Sequence, residues 1–126
     1  MGYRSEVAIV IGEDDFNELK RNDKVRELLK CAEIIRYLNS SQNIISIYWD
    51  WIKWYETYED VNIIENFLDN LQEKEHSYHF VRVGEELEDI EERYYEGEND
   101  ELETWDYVGI SRQVEFYLPE GEQIEI

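Results

Sequence analysis

Five consecutive apolar residues, Val7 to Ile11, stand between Glu6 and Gly12 and leave no polar side on which an extended segment could meet water. Successive side chains of a strand point to opposite faces, so Val7, Ile9 and Ile11 fall on one side and Ala8 and Val10 on the other. A strand that is apolar on both sides belongs in the interior of a sheet. Tyr3 to Ile11 therefore reads as an interior strand, and the rest of the chain must supply its neighbours.

Gly12 ends this strand, and Glu13, Asp14 and Asp15 then place negative charge where a helix N-terminus favours it. A short helix is expected from there to about Arg21. Asn22 and Asp23 can cap a second helix, in which Val25, Leu28, Leu29, Ala32, Ile35 and Leu38 recur at helical spacing as far as Asn39. After polar Ser40 to Asn43, residues Ile44 to Tyr55 are rich enough in β-branched and aromatic side chains to read as a long strand, with Ile45, Ile47, Trp49 and Trp51 on one face. The turn Glu56 to Glu59 leads to Asp60 as the cap of a third helix, striped by Val61, Ile64, Leu68 and Leu71 and ending in the polar residues 72–76.

Tyr78 to Val83 reads as the next strand, broken by Gly84. Another follows near Glu88 to Tyr95, with Leu87, Ile90, Tyr94 and Tyr95 as its anchors. Tyr107 to Leu118 alternates well, with Val108, Ile110, Val114, Phe116 and Leu118 facing inward until Pro119 and Gly121 stop it. The order β-α-α-β-α-β-β-β predicts an α+β fold: a mostly antiparallel sheet of about five strands with two or three helices packed on one face. Residues 1–126 read as a single domain carrying an acidic hairpin or loop region at about 85–106.

Charge decides what such a domain can touch. Thirty-two Asp and Glu oppose twelve Lys and Arg, a net of −20, and the imbalance is placed rather than spread. From Gly84 onward there are sixteen acids against Arg93 and Arg112, a net of −14, whereas residues 1–83 carry only −6. Disorder is opposed by 42% apolar and 14% aromatic residues and a single proline. Cys31 is the only cysteine, so a disulfide framework is excluded and a reducing cytosol is expected. No segment approaches the eighteen apolar residues of a membrane span.

The opening MGYRSEVAIVI, the block WDWIKWYETYEDV and the run YHFVRVGEELEDIEE resemble a set of small proteins of bacteriophages and prophages. Members of that set begin Met-Gly-Tyr-Arg-Ser-acid-Val and carry an Arg-hydrophobic-Gly-Glu segment followed by acids and Ile-Glu. The likeness spans most of residues 1–95. It implies a virus or mobile element as the source, hence the cytoplasm of a bacterial host, and it brings no activity, cofactor or catalytic residue with it.

Twelve acids crowd one segment: Glu85, Glu86, Glu88, Asp89, Glu91, Glu92, Glu96, Glu98, Asp100, Glu101, Glu103 and Asp106. On a strand, alternate side chains lie about 6.6 Å apart on one face, near the spacing of phosphates along a nucleic-acid strand. A carboxylate array of that kind could occupy the groove of a nucleic-acid-binding protein; the plainer alternative is a solvated acidic loop that keeps the chain in solution. Calcium would also suit clustered carboxylates, but no window has the register of an EF-hand loop, and no metal or other cofactor is expected. His76 and His79 fall on opposite faces of an extended segment, and Cys31, read as a small buried hydrophobe on a helix, has no histidine near it in sequence. With no catalytic motif, the chain reads as a non-enzyme.

The aromatics Tyr48, Trp49, Trp51, Trp54, Tyr55 and Tyr58 outnumber what one core face can absorb. Either both faces of the sheet are covered, or Trp49, Trp51, Trp54, Tyr55 and Tyr58 include a binding or homodimer surface. Direct nucleic-acid binding is opposed by the charge. The sequence thus points to an acidic phage-type inhibitor of a basic, nucleic-acid-binding host protein, such as a restriction or CRISPR-like defence effector. The alternative is a phage assembly module that dimerises through its Trp- and Tyr-rich strand.

Overall fold

The computed structural model describes residues 2–38, 41–98, 108–110, 114–116 and 121–126. In chain order the elements are β1 (Ser5–Gly12), α1 (Glu13–Leu19), α2 (Asp23–Lys30), β2 (Ile34–Tyr37), β3 (Ile44–Ile52), α3 (Glu59–Glu73), β4 (Tyr78–Gly84), β5 (Ile90–Tyr95), β6 (Val108–Ile110) and β7 (Val114–Phe116). The fold is α+β; the described residues form three helices, the two-stranded ribbon β6-β7 and a five-stranded antiparallel sheet ordered β2-β3-β1-β4-β5.

β1 is the central strand, as its two apolar faces require. Val7, Ile9 and Ile11 are buried under the helices, among Phe16, Leu29, Ile64 and Leu68. Ala8 and Val10 are buried on the other face with Leu38, Ile44, Val81 and Val114. That second face is covered by β6 and β7, a separate two-stranded ribbon lying against β4 and β1. The single strand expected over Tyr107 to Leu118 is two antiparallel strands, β6 and β7; of the side chains expected to face inward only Val114 is described, and it is buried, while those of Val108, Ile110 and Phe116, together with residues 107, 111–113 and 117–118, lie outside the described set.

Local chemistry explains where the elements differ from expectation. α2 is capped by the Asn22 side chain, which accepts from the N–H groups of Lys24 and Val25 at 2.9 and 3.1 Å, but it ends at Lys30 and not at Asn39. Ile34 to Tyr37 instead pair with Tyr48 to Ile45, because two adjacent β-branched residues gain more from a sheet than from a helix. Cys31 is exposed as a result, and Ile35 reaches the core from β2. In β3 an extra residue opposite Ser5 to Val7 forms a bulge, so Ser5 faces Ile52 while Val7 faces Trp49. The bulge turns Trp51 outward and sends Ile52 to the core in its place.

Asp60 lies inside α3, one residue past its start, and its carboxylate accepts the N–H of Val61 at 2.7 Å; the cap position is Tyr58. At the other end of α3, Glu75 is left-handed, with φ 60°, while the N–H of His76 reaches Leu71 O and that of Glu75 reaches Gln72 O. This is a Schellman motif with a side chain where glycine is usual. The segment 121–124 hydrogen-bonds along the outer edge of β2, with Tyr37 N–H donating to Glu122 O at 3.0 Å and Gly121 N–H to Tyr37 O at 2.8 Å.

Candidate functional site

The start of β1, the end of β4 and the turn into β5 meet at one corner of the sheet. Ser5 pairs with Gly84 in the ladder, which brings residues 3–5 over the turn Glu85 to Asp89. Tyr3 donates to Asp89 Oδ2 at 2.6 Å and accepts the N–H of Glu86 at 3.0 Å, while the N–H of Arg4 donates to Glu85 Oε2 at 2.7 Å. Arg82 is the centre of the knot. Its two terminal nitrogens donate to Asp89 at 2.7 and 3.1 Å, one of them also to Ser5 Oγ at 3.0 Å, and its Nε to Glu91 at 3.2 Å.

Gly84 makes the crossing feasible. A Cβ there would strike the Asp89 carboxylate and the Tyr3 hydroxyl, so only a residue without a side chain lets three segments approach this closely. The electrostatic consequence is mutual: hydrogen bonds from Arg82 and then Tyr3 hold Asp89 below its ordinary value of 3.8, and the same carboxylate raises the guanidinium of Arg82 and the phenol of Tyr3.

A second arginine extends the network under α3. Arg93 pairs with Glu65 and with Asp69, the latter at 3.4 Å, and lies over the Phe80 ring at 4.7 Å. Its Nε is 3.3 Å from Glu91, close enough for ion pairing but not aligned for a hydrogen bond. Burial works against the Arg93 charge, yet Glu65 overrides it and the group is raised. Glu65 itself is buried, and its other oxygen accepts Trp54 Nε1–H at 3.1 Å. Tyr3, Trp54, Tyr55, Glu56, Glu65 and Arg82 help to line a cleft of about 400 Å³ above this network. Its wall thus joins segments 1–11, 49–61 and 78–92 of the chain.

The twelve acids are thereby divided, and no face of β5 carries a row of carboxylates. On the helix side Asp89 and Glu91 are followed by Arg93, and on the other side Glu92 stands between Ile90 and Tyr94. Asp89 and Glu91 are neutralised by arginine, and Glu85 holds a backbone N–H. Glu92 takes Nε2 of buried His79 at 2.6 Å. Glu86, Glu88, Glu96 and Glu98 are exposed, and Asp100, Glu101, Glu103 and Asp106 lie outside the described residues. Nor do the anchors expected for β5 anchor it: Leu87, Ile90 and Tyr94 are 66, 47 and 61% exposed, and only Tyr95 packs on the core.

The aromatic set divides as well. Trp49 and Trp54 are buried with ring centroids 5.1 Å apart, which withdraws them from any interface. Trp51 and Tyr58 are exposed, and Tyr55 is half-buried against Tyr58. Among the described residues no group of three or more His, Cys, Asp or Glu could hold a metal ion, and no helix is long and apolar enough to cross a membrane.

No family model, curated protein or solved structure matches this chain. The site must be judged on its own chemistry.

Sequence reasoning missed Arg82, Arg93 and Glu65 as organisers. Glu65 had a visible signal, since it lies four residues after Val61 and three before Leu68, on the apolar stripe of α3. Arg82 had none, because its partners come from segments far apart in the chain.

Proposed function

We propose that this is an acidic, non-enzymatic interaction protein of bacteriophage type, which occupies a basic, normally nucleic-acid-binding surface of a host protein. A restriction or CRISPR-like defence effector is the concrete partner. The observation that carries the reading is the state of the turn Glu85 to Asp89. It is fixed by Tyr3, the Arg4 backbone and Arg82, yet Glu86 and Glu88 project from it exposed.

A fixed turn loses little conformational freedom on binding, so its charges are prepaid for association. A partner that binds nucleic acid gains affinity by releasing counterions, and carboxylates entering the same groove draw on that term. The field of a −20 chain also speeds encounter with a positive surface, most strongly at low salt. Relative to a uniform phosphate-like ladder, the supporting geometry is narrower: a rigid acidic turn, with Glu96 and Glu98 beyond the far end of β5.

The test is competition with duplex DNA for a purified restriction or CRISPR effector, comparing the chain with a Glu86→Gln, Glu88→Gln, Glu96→Gln, Glu98→Gln variant. The variant retains every arginine contact and should keep its circular dichroism spectrum. It is expected to compete about tenfold less well and with a shallower salt dependence. Equal competition by both chains, or none by either across such effectors, would sink the reading. A dimer that dissolves in Trp51→Ser would favour the assembly-module alternative instead.

A further inference from the structure

We infer that Ile90 and Tyr94 on the outward row of β5, together with Leu87, are the apolar half of the docking surface, and that its occupant is a basic segment of a partner protein in which lysine or arginine alternates with apolar side chains. The inference rests on the function proposed above and names the chemistry of the partner.

Among the described residues, the covering of the second face stops short of β5. β6 and β7 lie against β4 and β1, where Val81, Ala8 and Val10 are fully buried, whereas Ile90 and Tyr94 on the neighbouring strand keep about half or more of their surface. Scattered exposed hydrophobics are ordinary, but three large ones within eight residues, on one strand and its approach, form a patch. The row is also held in place. Glu92 is tied to His79, and the Tyr94 ring meets that histidine edge-on with centroids 5.9 Å apart. On the reverse side of the same strand Glu91 and Arg93 are engaged with Arg82, Glu65 and Asp69, so β5 cannot rotate its apolar side inward.

Charge selects the occupant. Glu86, Glu88 and Glu92 rim the patch, and no Lys or Arg lies between Val83 and Glu92. A second copy of the chain would bring the same acids against these. Nucleic acid and anionic lipid surfaces are repelled for the same reason. A basic partner loses nothing to repulsion, and by covering Leu87, Ile90 and Tyr94 it gains contacts that salt does not screen. Alternate side chains of an extended segment match the spacing of Ile90, Glu92 and Tyr94 along their own strand.

The probes are two labelled peptides of equal length and charge, one alternating lysine with leucine and the other lysine with serine, titrated against the full chain by fluorescence anisotropy. At low salt both should bind. At about 0.3 M salt, where screening removes most of the exposed charge attraction, the lysine–leucine peptide should retain binding and the lysine–serine peptide should not. Ile90→Ser with Tyr94→Ser should weaken the lysine–leucine peptide about tenfold and leave the other unchanged. Leu87→Ser, in the turn and outside the sheet, should weaken it several-fold without any effect on folding. Equal binding of the two peptides at about 0.3 M salt, or a leucine-dependent surplus that survives all three substitutions, overturns the inference while leaving the proposed function standing. Failure of both peptides at low salt overturns the proposed function itself. Concentration-dependent dimerisation abolished by the same substitutions identifies a second copy as the occupant and overturns the inference.

Discussion

Tyr3 gives its phenolic hydrogen to Asp89 at 2.6 Å across 86 residues of chain, and accepts the N–H of Glu86 in return. Because Asp89 lies below its ordinary value of 3.8, it contributes stability that is present above that value and is lost as pH falls through the lower folded one. Tyr3→Phe should therefore move the Asp89 titration upward, as followed by carboxyl NMR, and lower the urea midpoint at neutral pH. The difference from wild type should shrink as the pH is taken below about 3.8. An unmoved Asp89 titration would show that Tyr3 does not reach it in solution.

Arg82→Leu should cost ~2–3 kcal/mol in urea unfolding, since Asp89 and Glu91 would lose their common partner in a half-buried site. Gly84→Ala should cost a comparable ~2 kcal/mol by forcing Tyr3 and Asp89 apart. Additive losses in the Gly84→Ala, Arg82→Leu double variant would argue against a single cooperative knot, because coupled sites are expected to lose less together than separately.

Glu75→Gly should stabilise the protein. The left-handed φ of 60° strains a side-chain-bearing residue, and glycine adopts it freely. The expected gain is ~1 kcal/mol, a rise in Tm of roughly 4 °C by calorimetry. A fall in Tm would mean that the Glu75 side chain makes compensating contacts.

The two classes of tryptophan should respond oppositely to truncation. Trp49→Ala empties a core position and should cost ~3–5 kcal/mol, whereas Trp51→Ala should change stability by no more than about 0.5 kcal/mol. Chemical denaturation of the two variants side by side checks this.

What could be read from the sequence was whatever rests on local pattern. The both-sided apolarity of Val7 to Ile11 placed β1 in the interior, and Asn22 announced its helix. Ile35 and Leu38 misled because they fell at helical spacing by coincidence, while the β-branched pair Ile34 and Ile35 was answering to β3. The bulge that expels Trp51 depends on the register between two strands, which neither strand encodes alone. The site was legible as charge but not as geometry: alternation alone cannot tell that Arg82 and Arg93 neutralise Asp89 and Glu91 and leave Glu86 and Glu88 exposed.

The position of β1 in the middle of the sheet has a consequence for biosynthesis. Ala8 must pair with both Tyr48 and Val81, so β1 cannot be closed on its second side until β4 has followed it from the ribosome. At typical translation rates that delay is on the order of ten seconds. During it, one edge of the most apolar segment in the protein is open to any strand that will pair with it, and growing chains should depend on a holding chaperone before the sheet can be completed.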